Sequence, residues 1–407
     1  MGITRQIPPT AGFPFSARGL LPLFRKRGFC GSIEDDFKDY LGLPFAWLTC
    51  SGTAAFFLIL EALKRLSHKR TVIIPAFVCP LLPLAIHRAG LKVAPCDTNE
   101  DNFDFWLPEL EQLCQDNRDI AAIVAVHLGG IPLDLDALKS IAARHQLLLI
   151  EDCAQSLGAQ YKGEKTGACG DFSFFSLARG KGLTIYEGGA IAVRSGEFAA
   201  EVDQAIRRLV RRDALMEALR IVELCGYWLF YRPALFWYVW RLPQACWEKL
   251  GQPIKAQAEN FSINFPLHRV SSFRKAIAHL DFRRLTDENE EQRKKAFFYI
   301  SGLRQTAGIK IIGEPAGTKA VYPYLTLLFS EEEKKIRAER LLRGLGASRI
   351  YAASIPNYPY LEGIVEKRNY PHAKNLARHS LSLSTNTFLT ARDMASIVEI
   401  IKKVTTS

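Results

Sequence analysis

The sequence predicts a doubly wound α/β fold, a large domain with a mostly parallel sheet joined to a smaller α+β domain, on three observations. First, several short apolar runs lack the alternation of a half-exposed strand: Thr71–Ile74, Ile120–Val126 and Leu147–Ile150. Runs of this kind are buried on both faces, as strands of a parallel sheet are. Second, segments of helical spacing separate them, which is the βαβ rhythm. Third, small or acidic residues stand at strand ends: Cys50-Ser51-Gly52-Thr53 and Glu151-Asp152. Open α/β sheets bind ligands at the carboxyl ends of their strands.

Taken in order, residues 1–31 carry Pro8, Pro9, Pro14 and Pro22 among basic residues and read as an irregular arm. The large domain is expected over 32–200. Ser32 caps a helix from Ile33, with Asp35 three positions on. A strand follows at Phe45–Thr49, and the small residues of 50–55 open an apolar helix toward Arg65. Strands are expected at Thr71–Ile74, Leu91–Pro95, Ile120–His127 and before Asp152, with helices to Gly90, over Phe105–Asn117 and over Leu135–His145. Gly170–Ser176 and an antiparallel-type strand after Tyr186 complete this half. Residues 261–407 read as the small domain. A long helix runs from Ser271 past Arg284 toward Tyr299, followed by a strand at Tyr322–Phe329 and a helix from Glu331 to Leu345. A strand at Leu381–Leu383 and a helix from Ala391 to Lys403 close it.

Composition narrows the function classes. The 407 residues allow a large core, and 48% hydrophobic with 23% charged is a globular balance rather than a disordered one. A formal net charge of +11 favours anionic small molecules, acidic lipid or nucleic acid. No basic-aromatic module for nucleic acid is present, so that partner is not expected. Nine cysteines, dispersed from Cys30 to Cys246 without a CxxC pair, read as reduced thiols. Neither they nor the histidines show metal-ligand spacing, and no metal is expected. The start lacks the apolar region of a signal peptide, so a cytoplasmic setting is expected.

The chemistry is carried by two stretches, Glu151-Asp152-Cys153-Ala154-Gln155 and Phe175-Ser176-Leu177-Ala178-Arg179-Gly180-Lys181. A carboxylate and a lysine that converge inside a protein are costly unless each has a partner. A plain ion pair on a sheet edge is one solution. Pyridoxal phosphate is the other, because its ring nitrogen takes a carboxylate and its aldehyde takes an amine. The helix opened by Ser51-Gly52-Thr53 offers backbone N–H groups and hydroxyls to a phosphate, although the same residues also make an ordinary cap.

An ordered set of motifs then resembles the DegT/DnrJ/EryC1/StrS sugar aminotransferases, which are fold-type I pyridoxal-phosphate enzymes. The set comprises Ser51-Gly-Thr-Ala-Ala, Pro75-Ala-Phe, His127-Leu-Gly-Gly, Glu151-Asp152-Xaa-Ala-Gln155, Gly170-Asp171, Ser176 with Lys181, and Glu187-Gly-Gly. Tyr370-Pro-His-Ala and Leu381-Ser-Leu-Ser match its closing segment. The resemblance implies that Lys181 bonds to the cofactor and carries the catalytic proton, and that Asp152 holds the pyridine nitrogen. It also implies that Gln155 bonds near the ring and that Ser176, Gly52 and Thr53 bind the phosphate. It implies a homodimer acting on an amino donor, glutamate or glutamine, and a keto-sugar acceptor, nucleotide-linked, for polysaccharide or glycolipid synthesis. Two positions depart from the pattern. Cys79 stands where the family places an aromatic ring over the cofactor, and Phe77 is the nearby substitute. The family's Asn-Tyr-Arg, donated across the dimer, aligns on Leu267-His268-Arg269.

Residues 201–260 do not resemble the family and are expected to form a helical insert. Arg207, Arg208, Arg211 and Arg212 make its start basic, and Ile221–Trp240 is apolar and aromatic with Glu223 and Arg232 as its charges. That stretch is long enough for roughly 30 Å of hydrocarbon. Arg232-Pro233 in its middle argues instead for a bent pair of helices. These lie on a membrane surface through 205–245 or pack on the core. Other chemistry on a lipid-linked substrate, or a cofactor-binding scaffold without turnover, are the alternative functions.

Overall fold

The computed structural model describes residues 5–12, 31–256 and 258–406. The strands of the first half are β1 (Phe45–Thr49), β2 (Thr71–Pro75), β3 (Lys92–Cys96), β4 (Ile120–Val126) and β5 (Leu148–Asp152). A small hairpin, β6 (Gln160–Tyr161) and β7 (Glu164–Lys165), precedes β8 (Phe172–Ser176) and β9 (Gly189–Val193). The large sheet has the order β1-β9-β8-β5-β4-β2-β3. Its pairs from β8 to β3 are parallel, while β9 runs antiparallel to both β8 and β1. This is the mostly parallel sheet of the predicted α/β class.

Helices α1 (Ile33–Leu41), α2 (Gly52–Leu66), α3 (Leu81–Arg88), α4 (Leu107–Asp116), α5 (Leu135–His145) and α6 (Gly196–Leu209) belong to this sheet. Ser32 and Ser51 cap α1 and α2 by accepting the N–H groups of Asp35 and Ala54. The central helix, α2, packs on β8, β9 and α6. Its Leu58, Ile59 and Leu60 are wholly inaccessible. Each such side chain contributes about 1.5–3 kcal/mol by leaving water. That burial, more than local propensity, anchors the start of α2 beside the sheet.

Beyond α6 come α7 (Ala214–Phe230), α8 (Pro233–Phe236), a π-helical turn at Trp237–Arg241, α9 (Leu242–Lys249) and α10 (Pro253–Ala256). The apolar stretch breaks at Tyr231–Arg232 and Pro233 opens α8, where its missing N–H costs nothing. No helix among the described residues is long and apolar enough to cross a membrane.

The C-terminal part holds α11 (Ser272–Phe282), α12 (Leu285–Leu303), β10 (Ile309–Ile312), β11 (Thr318–Lys319), β12 (Tyr324–Phe329) and α13 (Glu332–Leu342), then α14 (Pro371–His379), β13 (Ser380–Ser384) and α15 (Ala391–Thr406). Strands β10, β12 and β13 form a three-stranded antiparallel sheet. The single helix expected from Ser271 toward Tyr299 is thus two, α11 and α12. The chain turns at Arg283–Arg284, where the Arg284 side chain donates to Glu288 at 2.6 Å and to Asp281 at 3.4 Å. Polar and apolar residues keep helical spacing across the turn, so the break leaves no periodic signal.

The arm expected at 1–31 is described only at 5–12 and Gly31; the rest, Cys30 included, lies outside the described residues. Residues 5–12 have no regular structure, yet they are stitched into the body. Ile7 is fully buried, and its N–H donates to Gly344. Arg5 holds Asp393, and Ser384 donates to the Pro8 carbonyl at 2.7 Å.

Candidate active site

A cavity of about 340 Å³ opens where β4, β5 and β8 end and α2 begins, lined among others by Ser51, Gly52, Thr53, Asp152, Gln155, Ser176 and Lys181. Six of the seven residues singled out in the sequence therefore meet in one place. The parallel register of β4 with β5, and of β5 with β8, sets Val126, Asp152 and Phe174 side by side at the strand ends. Just beyond them, His127, Ala154 and Ser176 also line the cavity.

Asp152 is 5% exposed, and its Oδ1 accepts the Ala154 N–H at 2.9 Å. Burial pushes its carboxyl up to about 6, while the Ala154 N–H and the charges of Lys181 and His127 pull the other way. Lys181 reaches the same cavity from the turn after β8. Gly180 there has φ +77, a left-handed conformation that a side chain at that position would strain. Burial lowers the Lys181 amine below its usual value, opposed by the charges of Cys79 and Asp152. Among the described residues neither side chain forms an ion pair, and the Lys181 amine has no hydrogen-bond acceptor. The sheet-edge ion pair is therefore not what the fold builds. It holds a carboxylate and an amine apart, each facing the same space.

The opposite wall suits an anion. Ser51 caps α2, which leaves the first-turn N–H groups of Gly52 and Thr53 without an intrahelical acceptor. The hydroxyls of Thr53 and Ser176 stand beside them. Register brings β1, β9 and β8 together here, with Gly189 opposite both Thr49 and Ser176. A Cβ on Gly189 would lie 2.5 Å from the Ser51 carbonyl, so only glycine lets β9 pass this close to the start of α2. A buried carboxylate, a desolvated amine and a helix N-terminus with hydroxyls are the groups that a pyridine nitrogen, an aldehyde and a phosphate require. The residues present fit pyridoxal phosphate.

Gln155 is tethered. Its Oε1 accepts the Gly129 N–H at 2.8 Å and the Tyr324 hydroxyl at 2.6 Å, which leaves the amide NH₂ for the cavity. Tyr324 belongs to β12, so the small domain sets the orientation of a residue on the large one. Phe77, the seventh expected residue, does not line the cavity. Its ring is buried against Phe103 at 6.4 Å and meets Tyr351 edge-on at 5.4 Å. Cys79 takes the lining position, its thiol pushed up to about 12 by burial and hence neutral. Tyr351, Arg179 and Glu187 also line the cavity and were not assigned to it from sequence. Arg179 lies in the stretch that ends at Lys181 and Glu187 opens the Glu187-Gly-Gly motif, whereas Tyr351 comes from a distant loop that no motif ties to the strand ends.

Beneath the cavity, the structure gathers His127, Glu151 and Cys153 closely enough to hold a metal ion. Glu151 is already taken. It bonds the His127 imidazole at 3.0 Å and accepts the N–H groups of Gly167, Cys169 and Gly170 at 2.6–2.9 Å. Burial raises its carboxyl, but these bonds outweigh that and hold it below the usual range. His127 Nδ1 accepts the Leu133 N–H, which leaves Nε2 to face Glu151. This pair fastens the 167–170 loop to the sheet.

Comparison with known proteins gives a consistent result. The DegT/DnrJ/EryC1/StrS aminotransferase family matches residues 28–221 and 248–402, and the chain belongs to that family. The L-glutamine:2-deoxy-scyllo-inosose aminotransferase of Streptomyces fradiae is 36% identical over 169 residues, 41% of this chain and 39% of that protein. The GDP-perosamine synthase of Caulobacter vibrioides is 33% identical over 174 residues, 43% and 46% of the two chains. The matched stretch thus spans less than half the length of either relative. The solved structure of S. venezuelae DesV shares the fold with a TM-score of 0.73 and 23% identity, covering 95% of this chain and 93% of that one. Helicobacter pylori PseC does so at 0.76 and 16% identity, covering 99% and 100%.

Proposed function

We propose that this member of the DegT/DnrJ/EryC1/StrS family is a pyridoxal-phosphate-dependent aminotransferase. It transfers an amino group from glutamate or glutamine to a keto-sugar, nucleotide-linked, as a homodimer in the cytoplasm. The observation that carries the reading is the unpaired Asp152 carboxylate and Lys181 amine facing one cavity beside a helix N-terminus.

When bound, the cofactor supplies an electron sink for the negative charge that develops on the carbon bearing the transferred nitrogen. The rest falls to this chain. Asp152 would hold a proton on the ring nitrogen, and that cation would offset the cost of burying the carboxylate. Lys181 would hold the cofactor through its amine, and the same amine would take and return the proton at the reacting carbon. Its depressed basicity suits both tasks, because the neutral amine is the nucleophile and the base. Thr53, Ser176 and the first turn of α2 hold the phosphate. Gln155, fixed by Tyr324 and Gly129, directs its NH₂ toward the ring.

The substrate classes have weaker but specific support. Arg179 is an exposed cation lining the cavity and forms no ion pair among the described residues, which suits an acidic donor or a nucleotide-linked acceptor. Of the two relatives, the L-glutamine:2-deoxy-scyllo-inosose aminotransferase favours glutamine as the donor, and the GDP-perosamine synthase favours a nucleotide-linked sugar as the acceptor. Arg269, exposed and without an ion pair among the described residues, is available to a partner subunit. The free thiols of all eight described cysteines accord with a reducing compartment.

The test is spectroscopic. Purified protein reconstituted with pyridoxal phosphate should absorb in the visible, and L-glutamate or L-glutamine should move that band into the near ultraviolet. Lys181→Ala should show neither the band nor the shift. Absence of a band in the reconstituted native protein would overturn the reading.

A further inference from the structure

Helix α7 is apolar on its outward face as well as its inward one. Its inward face mixes buried Leu224 and Tyr227 with paired charge: Glu217 bonds Arg274 and His268, and Arg220 pairs with Glu223 at 2.7 Å. Its outward face carries Leu215, Ala218, Leu219, Val222, Cys225 and Leu229, all exposed, with Leu215 at 83% and Val222 at 67%. A surface helix ordinarily turns a polar face outward. The segments that follow repeat the pattern, exposing Tyr238, Val239, Leu242, Trp247 and Leu250. The family match skips residues 222–247, from the second half of α7 to most of α9, while Leu215, Ala218, Leu219 and Leu250 lie inside the matched ranges.

We infer that this face docks on an anionic lipid bilayer, lying in the headgroup region rather than spanning it. The charge around it selects that occupant. Between residues 205 and 255 there are nine Arg and Lys against four Asp and Glu, out of a chain total of +11. Of these cations Arg211, Arg212, Arg232, Lys249 and Lys255 are exposed and form no ion pair among the described residues. An isologous contact with a second copy would set this positive surface against itself, whereas anionic headgroups neutralise it. Exposed Trp and Tyr are the side chains that settle at a membrane–water interface. No described helix is long and apolar enough to cross, so the contact is peripheral. The inference does not depend on the amino-transfer reading.

The experiment is flotation of the full-length, cofactor-loaded protein with vesicles of phosphatidylcholine alone or with added phosphatidylglycerol. Two variants accompany it: Leu219→Gln/Val222→Gln/Leu229→Gln, and Arg211→Glu/Arg212→Glu. Both change solvent-facing side chains, and an unchanged melting temperature confirms that they fold. The native protein should float with the anionic vesicles, and each variant should float about tenfold less. Activity on a soluble acceptor should not move in either. Failure of the native protein to float, or equal flotation of all three, would overturn the inference. So would a triple variant that floats normally but halves the mass of the assembly, since a second copy would then cover the face.

Discussion

Two regions of this molecule bury charge, and they do so in opposite ways. In the cavity, Asp152 and Lys181 are withdrawn from water without forming an ion pair. Under the insert, Arg274 is fully buried and every direction of its guanidinium is used. Its Nε donates to Glu217 at 3.1 Å, and its other nitrogens bond Glu217 and the carbonyls of Ile185 and Glu187. Burial would raise the Glu217 carboxyl, yet the bonds from His268, Arg274 and the Ser271 N–H hold it well below the usual range. A satisfied buried pair is a strut. An unsatisfied one is a cost that persists only where a ligand removes it. The contrast locates chemistry in the first region and architecture in the second, and substitutions can break it in either place.

The largest expected effect is on rate. Lys181→Ala should lower amino transfer by roughly 10³-fold or more, since both the attachment point and the proton carrier are lost. Single-turnover conversion of the loaded enzyme with L-glutamine would measure it. Stability should not fall, because the removed charge is desolvated and unpaired. A variant that melted well below the native protein would show that Lys181 is a strut after all.

Glu217→Ala should do the reverse. It strands the Arg274 charge in the interior and should cost about 3–5 kcal/mol of stability, read from chemical denaturation. Because Arg274 also grips the Ile185 and Glu187 carbonyls, some loss of activity should follow from a loosened cavity wall. A loss of activity without a loss of stability would contradict the assignment.

The two regions also differ in how far the sequence disclosed them. Asp152 and Lys181 were legible because a charge at the end of an apolar run is conspicuous, and the same runs predicted β4, β5 and β8. Period and composition could not say which face of α7 is inside. Its apolar residues fall on both sides, and the charges that settle the matter find partners on α11 and at residue 268, distant in the chain. Phe77 and Cys79 illustrate a finer limit. Both lie in the turn after β2, and only its three-dimensional path sends Cys79 to the cavity and Phe77 into the core. Tyr324, which fixes Gln155, was hidden for the same reason, since strand β12 carries no motif that ties it to a distant glutamine.

Asp152→Asn should have an intermediate effect, and one of unusual sign. The folded protein binds the Asp152 proton more tightly than the unfolded chain does. The group's contribution is therefore most favourable below the unfolded value of 3.8 and is lost as pH rises through about 6. At neutral pH the cofactor-free protein carries that cost in full, on the order of 1–3 kcal/mol. The asparagine variant removes it. Without cofactor it should melt higher than the native protein at pH 7.5 and equal it near pH 4, while binding pyridoxal phosphate more weakly. A native cofactor-free protein whose stability rises between pH 4 and 6 more steeply than the variant's would reverse the sign and reject the unpaired carboxylate.

The smallest effect sets two equivalent bonds against each other. Ser51 caps α2 by accepting the Ala54 N–H at 3.0 Å, and Asp213 caps α7 by accepting the Met216 N–H at 2.9 Å. Each replaced by alanine should cost about 1 kcal/mol, since each leaves one first-turn donor without its acceptor. Only the first lies on the cavity. Ser51→Ala should therefore also release pyridoxal phosphate more readily, through a helix start less firmly held beside Thr53 and Ser176. Asp213→Ala should leave cofactor retention untouched at the same loss of stability. Dialysis of the two loaded variants side by side separates the outcomes. Equal retention would mean that phosphate binding relies on the hydroxyls of Thr53 and Ser176 and not on the order of the helix start, and it would remove α2 from the list of groups that hold the cofactor.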